Sequence, residues 1–127
     1  MTRYTRTKEV KAPRERVFRY LTDVERIPEL LPDTFTKMKV IGKEGDSRII
    51  ECGEKWAGHH FKYIVKEKQF PPERIEQIVT EGSGKGTIQT MTLDEIPEGT
   101  RVKWSIDAKG VTASLLSTLF RKRFEKE

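Results

Sequence analysis

Six segments with strand character follow one another between residues 35 and 108, and only short turns containing glycine or proline separate them. The segments are residues 35–41, 47–56, 59–70, 74–80, 87–95 and 100–108. Parallel neighbours need a crossover connection of a dozen or more residues, so connections this short predict an antiparallel meander. In the last segment Val102, Trp104 and Ile106 alternate with charged or polar residues, which indicates a sheet that buries one face.

The rest of the chain supplies one more strand and the helices. Residues 2–10 are rich in Thr and suit a strand, whereas Ala12-Pro13 opens a helical stripe and residues 24–31 form a second short one. Residues 111–127 predict an amphipathic helix. We therefore expect a single α+β domain over residues 1–127, in which a curved antiparallel sheet of six to seven strands surrounds a long C-terminal helix, with two short helices after the first strand.

Charge and cysteine content limit the classes of function. The net charge is +5, but acidic residues interleave with the basic ones except at Arg121-Lys122-Arg123, so the pattern disfavours nucleic acid as a partner. The single Cys52 excludes an internal disulfide framework and suits a reducing compartment. The polar N-terminus and the absence of a long apolar run predict a cytoplasmic protein without an integral membrane segment.

The stretch EGSGKGT at residues 81–87 raises the question of phosphate binding. A phosphate loop needs a Gly five positions before its Gly-Lys pair, a Ser or Thr directly after the Lys, and then a helix. Here Val79 takes the place of the first Gly, Gly86 follows Lys85, and the next segment reads as a strand. We therefore interpret the stretch as a hairpin turn whose glycines adopt positive φ.

The chain has few candidates for metal or acid–base chemistry. His59 and His60 are neighbours on a strand and face opposite sides, so they cannot hold one metal together, although one of them could face the interior. Cys52 could approach a histidine across the ladder, but a buried, unreactive thiol is favoured. We expect no metal and no cofactor.

Aromatic residues on the strands point to a different use of the interior. One helix cannot fill the concave side of a six- or seven-stranded sheet, which leaves room for a ligand cavity, with a tightly packed core as the alternative. The candidate ligand-binding residues are Trp56, Phe61, Tyr63, Met91, Trp104, Leu116 and Phe120.

The order of these segments is similar to that of a known superfamily. Residues 10–23, VKAPRERVFRYLTD, resemble the strand-to-helix entry of the START-related, polyketide-cyclase/dehydrase and lipid-transport superfamily. Residues 27–33, IPELLPD, resemble its coenzyme-Q-binding branch, and residues 98–104, EGTRVKW, resemble its late strand. The resemblance covers nearly the whole chain and implies the helix-grip fold, whereas the functions of this superfamily are diverse.

Three functions follow as hypotheses. The first is binding or transport of a hydrophobic small molecule, such as a lipid, a quinone or a polyketide-like compound, between the sheet and the last helix. The second is a cyclase- or dehydratase-type enzyme that uses the same cavity, with His59, His60, Glu51 and Tyr63 as candidate groups. The third is a protein or RNA interaction module that uses a sheet edge or the basic C-terminal residues. Ligand identity and oligomeric state stay open.

Overall fold

The computed structural model describes residues 2–56 and 58–108, which form seven strands and three short helical segments. The predicted C-terminal helix over residues 111–127 lies outside the described residues. The elements are β1 (Thr2–Val10), α1 (Arg14–Thr22), a 3-10 helix (Val24–Arg26), α2 (Ile27–Leu30), β2 (Phe35–Glu44), β3 (Ser47–Trp56), β4 (His59–Phe70), β5 (Arg74–Gly82), β6 (Ile88–Ile96) and β7 (Gly99–Ala108).

All seven strands belong to one antiparallel sheet, in the order β1-β7-β6-β5-β4-β3-β2. Strands β2 to β7 form the meander that their short connections predict. The first strand closes the sheet against the last, with Thr2 opposite Ala108 and Val10 opposite Thr100. The predictions of an α+β fold and of an antiparallel sheet are therefore confirmed.

Strand β2 runs three residues further than its sequence indicates. We expected a turn from Gly42 to Asp46, but Lys43 pairs with Arg48 and Glu44 pairs with Ser47. Gly42 is accommodated by a shift of register between Val40 and Gly42, so that only Gly45 and Asp46 remain in the turn. Gly45 has a φ of 61°, a value at which a residue without a Cβ is favoured.

The sheet is bent at three irregularities in its ladders. Register shifts lie between Phe35 and Lys37 and between Val40 and Gly42 in β2, and between Val79 and Glu81 in β5, where Thr80 is the extra residue. Such bulges bend a strand and increase its local twist. The helical segments pack against the concave face that results.

The core consists of two clusters on this concave face rather than one. Helix α1 places Val17 and Phe18 on Ile75, Met91, Leu93 and Val102, at the side of the sheet formed by β5, β6 and β7. The 3-10 helix places Val24 on Ile50, Cys52, Val65 and Val79, which belong to β3, β4 and β5. The two helical segments thus cover different parts of the concave face, and an open space lies between the parts they cover.

Candidate functional site

The described residues border a space of about 970 Å³ on the concave face of the sheet. Its walls are mostly apolar and come from every strand and from the helical segments. The apolar lining residues are Val10, Ala12, Val17, Leu21, Val24, Ile27, Leu31, Phe35, Met38, Ile50, Val65, Val79, Met91, Val102, Trp104 and Ile106. We call this space the concave cavity.

Three of the seven predicted ligand-binding residues line the concave cavity: Tyr63, Met91 and Trp104. Phe61 is buried on the same strand as Tyr63 but is not part of the lining. Trp56 is the last residue of β3, and its side chain is outside what the structure describes. Leu116 and Phe120 lie outside the described residues. The inward side chains of β4, β6 and β7 thus share one space, as their strand parity requires.

A carboxylate and a phenol meet on the wall formed by β3 and β4. The hydroxyl of Tyr63 donates a hydrogen bond to Oε1 of Glu54, and both side chains line the cavity. Glu54 is only 5% exposed, so this hydrogen bond lies largely out of water. A buried carboxylate bonded to a phenol can orient a polar ligand atom, and it can also hold or accept a proton.

Cys52 lies directly opposite Tyr63 in the same pair of strands and is buried. Burial, together with the nearby carboxylates of Glu54 and Glu67, raises the pKa of the Cys52 thiol to about 12. A thiol with so high a pKa is protonated at neutral pH and is a poor nucleophile. The interpretation of Cys52 as an unreactive residue is in agreement with this environment, and its cross-strand neighbour is Tyr63 rather than a histidine.

A second polar group lines the wall formed by β5 and β6. Gln89 donates from Nε2 to Oε1 of Gln77 at 2.8 Å, and Gln77 donates from Nε2 to Oε2 of Glu67 at 2.7 Å. Glu67 is fully buried and pairs with Arg48, whose Nη2 lies 2.6 Å from Glu67 Oε1. Gln77 and Gln89 line the cavity, while Glu67 and Arg48 lie beside them on the same face of the sheet and are not part of the lining.

The other candidate groups for catalysis lie away from the cavity. His59 and His60 are both exposed and do not contribute to its lining, so the expectation that one of them faces the interior is wrong. Glu51 points to the opposite face of the sheet, where its ion pair with Lys37 lowers the pKa of its carboxyl group. Of the four residues proposed for an enzyme, only Tyr63 faces the cavity.

The stretch EGSGKGT forms a turn, as predicted, but it also contributes to the cavity. Strand β5 ends at Gly82, residues 83–86 turn, and Gly86 donates its backbone N–H to the carbonyl oxygen of Val79 at 2.8 Å. Gly82, Gly84 and Gly86 all have positive φ. Ser83 and Thr87 line the cavity, so this turn supplies two hydroxyl groups to its edge.

The residues missed from sequence are mainly the polar ones. Gln77 has the same strand parity as Ile75 and Val79, and Gln89 has the same parity as Met91. A period of two therefore places both amides on the apolar face. Glu54 follows Cys52 with the same parity. The sequence feature that could have identified them is a polar residue at a strand position whose neighbours of the same parity are apolar. We did not predict these residues to face inward, because most Gln and Glu residues are exposed.

Two features are absent from the part of the chain that the structure describes. No helix of residues 2–56 or 58–108 is long and apolar enough to cross a membrane. Within the same ranges, no three residues of the types His, Cys, Asp and Glu come close enough to hold a metal ion.

A bent antiparallel sheet with helical segments on its concave face and an apolar cavity beneath them defines the START-like class of folds. The chain belongs to the family described as "Polyketide cyclase / dehydrase and lipid transport", whose sequence profile matches residues 1–127. Comparison with curated protein sequences finds no significant match.

Solved structures share this architecture at low sequence identity. TTHA0849 from Thermus thermophilus superposes with a TM-score of 0.79 at 21% identity, covering 98% of this chain and 88% of the other. A START superfamily protein from Mycobacterium smegmatis gives a TM-score of 0.78 at 18% identity, with coverage of 97% and 89%. The Zhui aromatase/cyclase from a Streptomyces species gives 0.71 at 13% identity, with coverage of 87% and 70%. Identities this low show the fold alone.

Proposed function

We propose that this protein binds or carries a hydrophobic small molecule in the concave cavity. The observation that carries the proposal is the composition of the cavity wall, in which apolar side chains of seven strands and three helical segments outnumber the polar and charged ones. Ligand pockets commonly have roughly 300–1,000 Å³, with a predominantly apolar lining and a few polar groups that fix orientation. The space of about 970 Å³ is at the upper end of that range.

The family and the apolar lining of the cavity favour a ligand with a ring system or a chain. The family description names polyketides and lipids, and a START superfamily protein is among the structures with this fold. A quinone, as the likeness of residues 27–33 to the coenzyme-Q branch suggests, is the narrowest form of this proposal. The proposal keeps four further residues as ligand-binding residues: Trp56, Phe61, Leu116 and Phe120. It also includes a cytoplasmic location, which is in agreement with the free thiol of Cys52.

Extraction of the purified protein with organic solvent, followed by mass spectrometry, tests the proposal directly. Titration with 1-anilinonaphthalene-8-sulfonate provides a second test, with saturable fluorescence as the expected result. Replacing Trp104 by Ala removes an aromatic wall and should weaken binding about tenfold, since roughly 60 Å² of apolar contact at about 25 cal/mol per Å² is lost. Lys103→Ala is the matched control, because Lys103 is exposed on the other face of β7.

The absence of both a co-purified molecule and saturable probe binding would contradict the proposal. Equal effects of Trp104→Ala and Lys103→Ala would show that the probe binds elsewhere. If Trp104→Ala does not fold, Trp104→Leu keeps the apolar character of the site and removes only the ring.

The pair formed by Glu54 and Tyr63 favours a second function, that of a cyclase- or dehydratase-type enzyme. A phenol that donates to a buried carboxylate can pass a proton to or from a ligand carbonyl. An aromatase/cyclase is among the proteins that share the fold. Incubation with a linear 1,5-diketone should then yield a six-membered cyclic enone lighter by one water, because the enol carbon attacks the second carbonyl and the resulting hydroxyl leaves as water. Tyr63→Phe should abolish that product without loss of probe binding. An unchanged diketone would leave binding as the function.

A further inference from the structure

We propose that the concave cavity selects ligands that carry a hydroxyl group, and that the acceptor for this group is Oε1 of Gln89. This inference rests on the proposed binding function and specifies the polar group of the ligand. It follows from a series of hydrogen bonds that begins at the fully buried carboxylate of Glu67 and ends at the cavity wall.

The first step is that Glu67 can only accept hydrogen bonds when it is paired with Arg48. Its Oε1 accepts from Arg48 Nε at 2.9 Å and from Gln69 Nε2 at 2.8 Å, in addition to Arg48 Nη2. Its Oε2 accepts from Gln77 Nε2. A carboxylate offers no donor, so the amide of Gln77 must turn its nitrogen toward Glu67 and its oxygen away.

The second step carries this orientation to Gln89. Because Gln77 has its oxygen on the side of β6, the neighbouring Gln89 must present its nitrogen to that oxygen, as the 2.8 Å contact shows. The amide of Gln89 is thereby oriented in turn. A Gln side chain with no fixed partner can rotate by 180° and satisfy either a donor or an acceptor, whereas Gln89 cannot do so without breaking its hydrogen bond to Gln77.

The third step concerns what Gln89 presents to a ligand. With one N–H of its nitrogen donated to Gln77, Gln89 keeps a second N–H and the acceptor Oε1 for other partners, and the group that can accept from an O–H of a ligand is Oε1. This oxygen accepts none of the side-chain hydrogen bonds found between the described residues, and Gln89 lines the cavity together with Gln77. A ligand that covers Gln89 displaces water from Oε1, so the ligand needs an O–H or N–H group there to replace that hydrogen bond.

The fourth step is the support that holds the series in place. Arg48 also donates from Nη2 to the backbone oxygen of Thr22 at 2.9 Å, at the C-terminal end of α1. A positive charge is favoured at that end of a helix. Arg48 therefore connects α1 to the carboxylate from which the amide orientation derives, and a residue outside the cavity lining helps to set the polarity of its wall.

Competition between two naphthalenes tests the inference. The probes are 2-naphthol, which has an O–H donor, and 2-methoxynaphthalene, which has a similar ring but no donor; each displaces 1-anilinonaphthalene-8-sulfonate. We expect 2-naphthol to bind the wild-type protein about tenfold more tightly, the ratio that corresponds to a buried acceptor with a partner against one without. Gln89→Met should reduce this ratio to near one, and Gln77→Met should reduce it as well, since the orientation of Gln89 is then lost.

Gln69→Met is the matched control. Gln69 donates to the same carboxylate but does not line the cavity, so the variant should keep the tenfold ratio even if it lowers stability. A merely structural role of the glutamines would change the affinities of both probes together and leave their ratio unaltered. Equal affinities of the wild-type protein for the two naphthalenes would overturn the inference, and so would a tenfold ratio that persists in Gln89→Met. In either case, saturable binding of 1-anilinonaphthalene-8-sulfonate would still support the binding function. The absence of probe binding altogether would overturn both.

Discussion

Nη2 of Arg48 lies 2.6 Å from Oε1 of Glu67, a carboxylate that is completely removed from solvent. The two residues belong to neighbouring strands. Glu67 accepts three further hydrogen bonds, which come from Arg48 Nε, Gln69 and Gln77. A charge in such a position is tolerated only when it is paired and hydrogen-bonded. The free energy of unfolding should therefore depend strongly on this pair.

Loss of Arg48 should destabilise the protein strongly. We predict that Arg48→Met lowers the free energy of unfolding by about 3 kcal/mol, because it leaves the buried carboxylate of Glu67 without its countercharge. Urea denaturation followed by circular dichroism measures the change. Lys66→Met is the control, since Lys66 pairs with the exposed Glu44 and should cost less than about 1 kcal/mol. Similar losses in the two variants would disprove the prediction, and the double variant Arg48→Met with Glu67→Met should recover much of the stability.

Stability should also depend on pH through Cys52. Its pKa is raised from 9.0 to about 12 in the folded protein, so the stabilising contribution is complete below pH 9 and is lost progressively as pH rises toward 12. The free-energy difference between the wild type and Cys52→Ala should therefore shrink by about 1.4 kcal/mol between about pH 8 and pH 10. Urea denaturation of both proteins at the two values measures it, and other titrating groups cancel in the difference. A difference that is constant with pH would contradict the raised pKa.

The hydrogen bond from Tyr63 to Glu54 should contribute to stability as well as to the cavity wall. Tyr63→Phe removes one donor from a carboxylate that is 5% exposed, and we expect a loss of about 1–3 kcal/mol in the free energy of unfolding. Tyr20→Phe is the matched control, because Tyr20 is 63% exposed and its substitution should change stability by less than about 0.5 kcal/mol. If thermal or urea denaturation cannot tell the two variants apart, the buried hydrogen bond does not stabilise the fold.

Three glycines should respond differently to substitution by alanine. Gly82 has a φ of 88°, and a Cβ there would collide with the backbone of Lys62 and Tyr63, so Gly82→Ala should cost more than about 2 kcal/mol. Gly45 has a φ of 61° with open space around it, so Gly45→Ala should lower the free energy of unfolding by about 1 kcal/mol, from backbone strain alone. Gly42 has neither restriction, and Gly42→Ala should be neutral or slightly stabilising. Melting temperatures of the three variants measure this order, and a different order would refute it.

Strand parity predicts from the sequence alone many of the side chains that form the wall of the concave cavity. The alternation in residues 74–80 and 100–108 places Ile75, Val79, Val102 and Trp104 on the face that the structure buries or turns to the cavity, since a strand has a period of two whatever surrounds it. The same parity includes Gln77, yet its polar character led to no prediction for it. Its role depends on Glu67, a residue ten positions away on another strand.

The sequence alone determined the antiparallel meander, the pairing of inward and outward faces and the glycine turn at residues 81–87, because these depend on connection length, period and local backbone preference. Only the tertiary structure decided which polar side chains meet. Glu54 with Tyr63, and Arg48 with Glu67, Gln77 and Gln89, become neighbours through the register of β3, β4, β5 and β6. Register is a non-local property, and a carboxylate such as Glu67 becomes buried only when several strands together supply its partners.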